Sequence, residues 1–130
     1  MSLNDPLGNV LSHIYNCEKI GRQESIVKPA SKLIINMLKI MKEKNYVGEF
    51  NIIKDGKSNF IKVNLLGNIN KCGVVKPRFP FKVDELTKFE KRFLPAKDFG
   101  YIIVSTPHGL MTHQEVRGKN LGGKLVAYVY

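Results

Sequence analysis

A short run at residues 105–109, with the sequence STPHG, is the part of the chain best suited to contact another molecule. Hydroxyls and backbone N–H groups can bind base edges and ribose 2′-OH groups, while nearby lysine and arginine side chains hold phosphates. A bend restricted by proline has little entropy left to lose on binding. The same residues would also suit a plain turn whose hydroxyls cap a helix. The residues alone leave both interpretations open.

Two histidines and a glutamate near this run, His108, His113 and Glu115, are candidates for catalysis or metal binding. A zinc site needs more ligands, and paired helical ligands usually lie four residues apart. A triad of Ser105, His108 and Glu115 would lack the G-x-S-x-G frame around the nucleophile. We therefore predict no enzyme activity, no metal and no cofactor, and we place His108 in a loop and His113 on a helix surface.

The segment Gly118 to Lys124 matches most of the phosphate-binding pattern G-x-x-x-x-G-K. Leu125 occupies the position of the magnesium-binding Ser or Thr, and the residues that follow alternate like a strand. No helix N-terminus would then be available to hold a phosphate. We interpret the segment as a turn between a helix and a strand.

Charge is the strongest compositional signal. The chain carries 21 Lys and Arg against 11 Asp and Glu, which gives a net charge of +10. Residues 1–75 hold 11 basic and 6 acidic side chains and residues 76–130 hold 10 and 5, so the excess is spread evenly. Such a surplus favours polyanions through long-range attraction and counterion release.

Cysteine use and hydropathy exclude several other classes of protein. Cys17 and Cys72 are too few for a disulfide scaffold or a zinc ligand set, and Cys17 falls on an apolar helix face. No apolar run approaches the roughly 18 residues of a membrane helix, and the first ten residues lack the pattern of a secretory signal. We expect a cytoplasmic protein with no membrane partner.

Hydrophobic spacing predicts two helices in the first part of the chain. Asn4 or Asp5 before Pro6 marks the start of the first helix, and Pro29 or Ser31 the start of the second. The predicted buried positions are Leu7, Val10, Leu11, Ile14, Cys17, Leu33, Ile34, Met37, Leu38, Ile40 and Met41.

A change to alternating hydrophobicity predicts strands after the second helix. Phe50 and Ile52 precede the turn Asp55-Gly56, and alternating residues at 61–65 follow it, which indicates a hairpin. Residues 73–75 are predicted as a third strand. Prolines at 77 and 80 favour a boundary, so residues 1–76 form an N-terminal α-α-β-β-β lobe.

Residues 77–130 are predicted to form a mainly antiparallel β lobe with short helices. Its elements are a helix over 83–94, a strand over 101–104, a helix over 110–119 and a strand over 124–130. The last strand is apolar on both faces and should be covered on both. The complete prediction is an α+β protein with two lobes.

The run from Tyr101, with its pieces IVST, GLMTHQE-R and LGGKLVAYV, resembles the C-terminal lobe of the small-subunit ribosomal protein S8 family. The segments DPLGNVLSHIYN and PASKL resemble its N-terminal lobe, so the resemblance covers nearly the whole chain. The stretch KCGVVKPRFPFKVDELTKFEKRFLPAKDFG is similar to the archaeal and eukaryotic branch, and we expect an archaeal member.

This resemblance implies a structural constituent of the small ribosomal subunit that binds an irregular helix in the central domain of ribosomal RNA. It implies support of platform assembly and translation, contact with other small-subunit ribosomal proteins, and a monomer outside the ribosome. Two alternatives stay open. One is a translational repressor that binds the messenger RNA of its own operon. The other is a basic protein-interaction module whose charge serves only solvation.

The resemblance also implies which residues bind RNA. In the C-terminal lobe these are Ser105, Thr106, Pro107, His108, Gly109, Gly122, Gly123 and Lys124. In the N-terminal lobe they are Asp5, Pro6, His13, Lys28, Ala30, Ser31 and Lys32. Bacterial relatives often have Ser-Lys in place of Pro107-His108, and Arg in place of His13.

Overall fold

The computed structural model describes residues 6–28, 30–56, 58–96 and 99–130. At Asp55 and Ser58 it describes the backbone and not the side chain. The chain divides into two compact units, of which the first ends at Asn70 and the second begins at Lys71. Each unit combines helices with one antiparallel sheet, which confirms the predicted α+β class with two lobes. No helix among the described residues is long and apolar enough to cross a bilayer.

The first unit consists of two helices and a three-stranded antiparallel sheet. Its elements are α1 (Pro6–Lys19), β1 (Glu24–Val27), α2 (Lys32–Glu43), β2 (Val47–Asp55) and β3 (Ser58–Leu65). The strand order is β1-β3-β2, so β3 is the central strand. The pairing of Asp55 with Ser58 confirms the predicted hairpin.

The two helices of the first unit follow the predicted hydrophobic pattern. All five predicted core positions of α1 are buried, including Cys17. In α2, Leu33 and Ile40 are half-buried and the other four predicted positions are buried. The Ser31 hydroxyl caps α2 by accepting a hydrogen bond from the N–H of Ile34, at 3.3 Å. The other predicted cap and start residues, Asn4, Asp5 and Pro29, lie outside the described residues.

The predicted third strand of the first lobe is wrong. The strand that completes this sheet is β1, in which Ser25 and Val27 are buried and the two alternate residues are exposed. Residues 72–74 instead pair with the last strand of the second unit and supply hydrogen-bond partners along one of its edges. The division of the chain therefore falls before this strand, whereas the predicted boundary followed residue 76.

The second unit is built on a five-stranded antiparallel sheet. Its strands are β4 (Cys72–Val74), β5 (Pro80–Phe81), β6 (Tyr101–Thr106), β7 (Gly109–Thr112) and β8 (Gly123–Val129). The order is β4-β8-β6-β7, and β5 also pairs with β8. A 3-10 turn (Val83–Glu85) leads into α3 (Leu86–Phe93), and α4 (His113–Lys119) lies between β7 and β8.

The core of the second unit confirms the predicted role of the last strand. Leu125, Val126, Ala127 and Val129 are all buried, so β8 is covered on both faces. One face joins a cluster with residues of both helices, among them Leu86 and Phe89 of α3. The cluster comprises Val75, Phe81, Leu86, Phe89, Leu94, Ile102, Val104, Met111, Val116 and Leu125.

The segment predicted as a bend between a strand and a helix is a β-hairpin. Strand β6 continues through Thr106, and the residues from Gly109 return as β7. The predicted helix over 110–119 therefore begins later, at His113, because Thr112 is its N-cap. The Thr112 hydroxyl accepts a hydrogen bond from the N–H of Glu115 and donates one to its carboxylate, both at 3.3 Å.

Candidate nucleic-acid interface

The eight C-terminal residues implied by the resemblance lie together at one end of the second sheet. Ser105 of β6 is the cross-strand partner of Lys124 in β8 and of Leu110 in β7. Cross-strand partners carry their side chains on the same face of a sheet. The Ser105 and Lys124 side chains are both exposed, so this face presents a hydroxyl beside an ammonium group.

Thr106 organises the turn next to this pair. Its hydroxyl accepts a hydrogen bond from the N–H of His108 at 3.1 Å and donates one to the carbonyl of Gly109 at 2.8 Å. Only 9% of the residue is exposed. Thr106 therefore fixes the shape of the turn, whereas no described residue hydrogen-bonds the hydroxyl of Ser105.

The tip of the hairpin consists of exposed residues. Pro107 and His108 occupy the two turn positions, and both are exposed. Gly109 adopts a φ of 108°, a left-handed conformation that residues with a β-carbon rarely adopt. The tip therefore presents an imidazole and a pyrrolidine ring on a backbone that the Thr106 hydroxyl and Gly109 hold in place.

The glycines before Lys124 allow three strands to approach closely. A β-carbon on Gly123 would overlap the carbonyl oxygen of Ser105. A β-carbon on Gly122 would lie 3.1 Å from the carbonyl oxygen of Phe81. Because β8 contacts β5 and β6 at this point, a side chain at residue 123 would displace the backbone of Ser105.

The N-terminal candidates occupy two places in the first unit. Lys28, Ala30, Ser31 and Lys32 lie in the connection from β1 into α2, while Pro6 and His13 lie on α1. Asp5 lies outside the described residues.

The connection into α2 presents positive charge. The ammonium of Lys28 lies 5.8 Å from the centroid of the Phe60 ring. Lys32 is exposed in the first turn of α2, beside the Ser31 cap. On α1, the exposed His13 has its Nε2 3.7 Å from the sulfur of Cys17. The lysines, rather than His13, supply the permanent charge in this unit's candidate residues.

His113 is buried, so its predicted place on a helix surface is wrong. It is 1% exposed, and its Nδ1 accepts a hydrogen bond from the N–H of Ile102 at 3.1 Å. Its Nε2 lies 3.8 Å from the carboxylate of Glu90, which also forms an ion pair with Arg117. The later start of α4 turns this imidazole inward, where its hydrogen bond from the N–H of Ile102 joins α4 to β6.

The arrangement does not favour catalysis or metal binding. Glu115 is occupied by the cap of α4, and no described contact brings it to His108 or Ser105. The described residues contain no cluster of His, Cys, Asp or Glu that could hold a metal ion. Residues 118–124 run from the end of α4, through Asn120 at a φ of 55°, into β8. This confirms our interpretation as a turn from helix to strand.

The chain matches a known protein family. A protein-family model described as "Ribosomal protein S8" matches residues 5–130. The matched region includes both units, the hairpin of β6 and β7, and every candidate RNA-binding residue named above.

Proposed function

Because the chain belongs to the ribosomal protein S8 family, we propose that it binds an irregular helix in the central domain of small-subunit ribosomal RNA. Through this contact it supports assembly of the platform. Members of this family are structural proteins of the small subunit that bind ribosomal RNA, and they are not enzymes. We further propose that it is an archaeal member, that it works in the cytoplasm beside other small-subunit proteins, and that it is a monomer when free.

The observation that carries this proposal is the exposed pair of Ser105 and Lys124 on neighbouring strands. An ammonium group binds a phosphate as a point charge, while a hydroxyl next to it can contact a base edge or a 2′-OH. A regular A-form helix hides its major-groove base edges in a deep, narrow groove and displays 2′-OH groups in a shallow minor groove. A site that contacts the hidden base edges as well as the sugars therefore suits a distorted helix.

The remaining candidate residues divide into supporting and contacting roles. Thr106, Gly109, Gly122 and Gly123 shape the hairpin end, and Pro107 and His108 form the tip that follows the groove of the RNA. In the first unit, Lys28 and Lys32 bind phosphates and set the register. Pro6 and His13 line the same RNA contact from α1, and Ala30 and Ser31 line it from the residues just before α2. Asp5, which lies outside the described residues, is proposed as a further contact.

Crosslinking of the purified protein to total RNA, followed by sequencing of the protected fragment, tests this proposal. We expect a fragment from the central domain of small-subunit ribosomal RNA. The double variant Ser105→Ala/Lys124→Ala should lose this enrichment, while Asn51→Ala, which removes an exposed polar side chain from β2, should keep it. Recovery of messenger RNA alone, or equal enrichment by the double variant, would contradict the proposal.

A further inference from the structure

Helix α3 carries three cationic side chains on its outward face. Lys88, Lys91 and Arg92 are spaced as i, i+3 and i+4, which places them on one side of a helix. All three residues are exposed. We call them the α3 basic face.

Aromatic rings hold two of these three cations. The guanidinium carbon of Arg92 lies 5.2 Å from the ring centroid of Phe79 and 5.3 Å from that of Phe93. The ammonium of Lys88 lies 5.5 Å from the centroid of Phe89, a ring that stacks on Phe79. All three distances fall within the reach of cation–π attraction. The rings belong to or pack against the core, so these long side chains lose less freedom when they bind a ligand.

The α3 basic face keeps its positive charge. Within the described part of the chain, no carboxylate forms an ion pair with Lys88, Lys91 or Arg92. The one acid of the helix, Glu90, is buried and pairs with Arg117 instead. Two acids precede the helix, Asp84 and Glu85, four and three residues before Lys88. Asp84 is exposed, and the Glu85 carboxylate accepts a hydrogen bond from the N–H of Lys82. The surface therefore presents three cations to the solvent, of which Lys91 and Arg92 lie farther along the helix from these two acids.

The chemistry of Arg92 indicates what these cations bind. A guanidinium that stacks on rings still has N–H donors along its edge, and their fork matches two oxygens of a phosphate. Stabilisation of the helix C-terminus by Lys91 and Arg92 is the ordinary role of cations in a last turn. That role does not require an arginine close to two aromatic rings, or a third cation at Lys88.

We propose that the α3 basic face is a second RNA-binding surface, which holds a phosphodiester backbone without reading its sequence. The proposal rests on the proposed function in one respect, namely that RNA is the partner. It uses none of the residues assigned to RNA by the resemblance, and it adds a contact to a segment of RNA other than the one bound by Ser105 and Lys124.

Hydroxyl-radical footprinting on full-length small-subunit ribosomal RNA tests this surface. We expect the variant Lys88→Ala/Lys91→Ala/Arg92→Ala to lose one group of backbone protections while it keeps those that Ser105→Ala/Lys124→Ala removes. The slope of log affinity against log salt should fall by about two to three units, since each phosphate contact contributes roughly one. The control Lys19→Ala/Lys39→Ala/Lys54→Ala removes the same charge from exposed positions of the first unit.

The outcomes separate the two proposals. A triple variant with the footprint and salt slope of the parent protein, or with only the change seen in the control, overturns the α3 proposal. If Ser105→Ala/Lys124→Ala keeps every protection while the α3 variant loses some, the hairpin proposal fails and the α3 proposal stands. If the parent protein protects no ribosomal RNA, both fail.

Two further variants keep the test valid if the triple variant unfolds. Lys88→Arg/Lys91→Arg/Arg92→Lys conserves the charge, and we expect it to keep the salt slope of the parent protein. The single change Arg92→Ala should lower the slope by about one unit. Far-UV circular dichroism checks the fold of each variant, and an unchanged slope for a folded Arg92→Ala protein would contradict the assignment.

Discussion

Ser105 and Lys124 are partners across two neighbouring antiparallel strands, and both side chains are exposed on the same face. We predict that Ser105→Ala weakens specific RNA binding by roughly 1–3 kcal/mol, because a polar group of the RNA then lacks its partner in the interface. Titration of the crosslinked fragment against the variant measures this loss. The control is Asn51→Ala. If Ser105→Ala binds the fragment with the affinity of the parent protein, Ser105 does not contribute to the interface.

Thr106 should act through the shape of the turn. Thr106→Val keeps the volume of the side chain but removes both hydrogen bonds within the hairpin. We expect the free energy of unfolding to fall by about 1–3 kcal/mol, since a backbone N–H and a carbonyl lose their partner. Urea denaturation measures this change. Thr106→Ser keeps the hydroxyl and should be close to the parent protein, so equal losses in both variants would contradict this role.

Gly123 should tolerate no side chain. In Gly123→Ala the new β-carbon overlaps the carbonyl oxygen of Ser105, and we expect a loss of about 1–3 kcal/mol in the free energy of unfolding. RNA affinity should fall as well, because Ser105 moves. The matched control is Gly118→Ala in α4, where a β-carbon meets nothing within 4 Å. That change should be neutral or should stabilise the protein by up to about 1 kcal/mol.

Lys32 should contribute affinity without sequence preference. We predict that Lys32→Ala weakens the binding of all RNAs by a similar factor and lowers the salt slope by about one unit, as expected for a single phosphate contact. Binding to the central-domain fragment and to an unrelated RNA of equal length, each over a salt series, checks this. Lys39→Ala, an exposed position on the same helix, is the control. A loss confined to the central-domain fragment would indicate a base contact instead.

The ion pair between Glu90 and Arg117 should stabilise the second unit. Arg117→Ala leaves a carboxylate that is 9% exposed without its arginine. We expect the free energy of unfolding to fall by about 3 kcal/mol. This value is at the lower end of the range for a broken buried pair, because Arg117 itself is 39% exposed. Thermal unfolding measures this loss. The control is Lys62→Ala, which breaks the exposed ion pair with Glu24. It should lower the free energy of unfolding by less than about 1 kcal/mol.

The sequence predicted elements well where the hydrophobic period was long. Helix α1 has five core residues in helical register, and each is buried as expected. Strand β1 was missed because it has four residues, and one of its two buried positions is a serine. Residues 72–74 were assigned to the wrong sheet because neighbours in sequence are not always neighbours in a sheet. Alternating hydrophobicity predicts a strand, but it does not show with which other strand that strand pairs.

The sequence indicated which residues to consider for the candidate site but not their geometry. In the run 105–109, Thr106 is buried and the other four residues are exposed, and the sequence did not predict the hairpin. The signal was Gly109 followed by Thr112, a turn glycine and then a helix cap only three residues later. His113 follows that cap directly, so the position of Thr112 also explains its burial. The spacing of Lys88, Lys91 and Arg92 was visible, but their contacts with aromatic rings depend on tertiary structure.

Strand β8 pairs with β4, β5 and β6 and also carries Lys124. The amide protons of Leu125, Val126 and Ala127 should therefore exchange with deuterium only when the whole second unit opens. If Lys124 belongs to the RNA interface, as we propose, that surface is rigid before any partner arrives. The protein then does not have to order itself on contact, and the RNA is the component that must adjust.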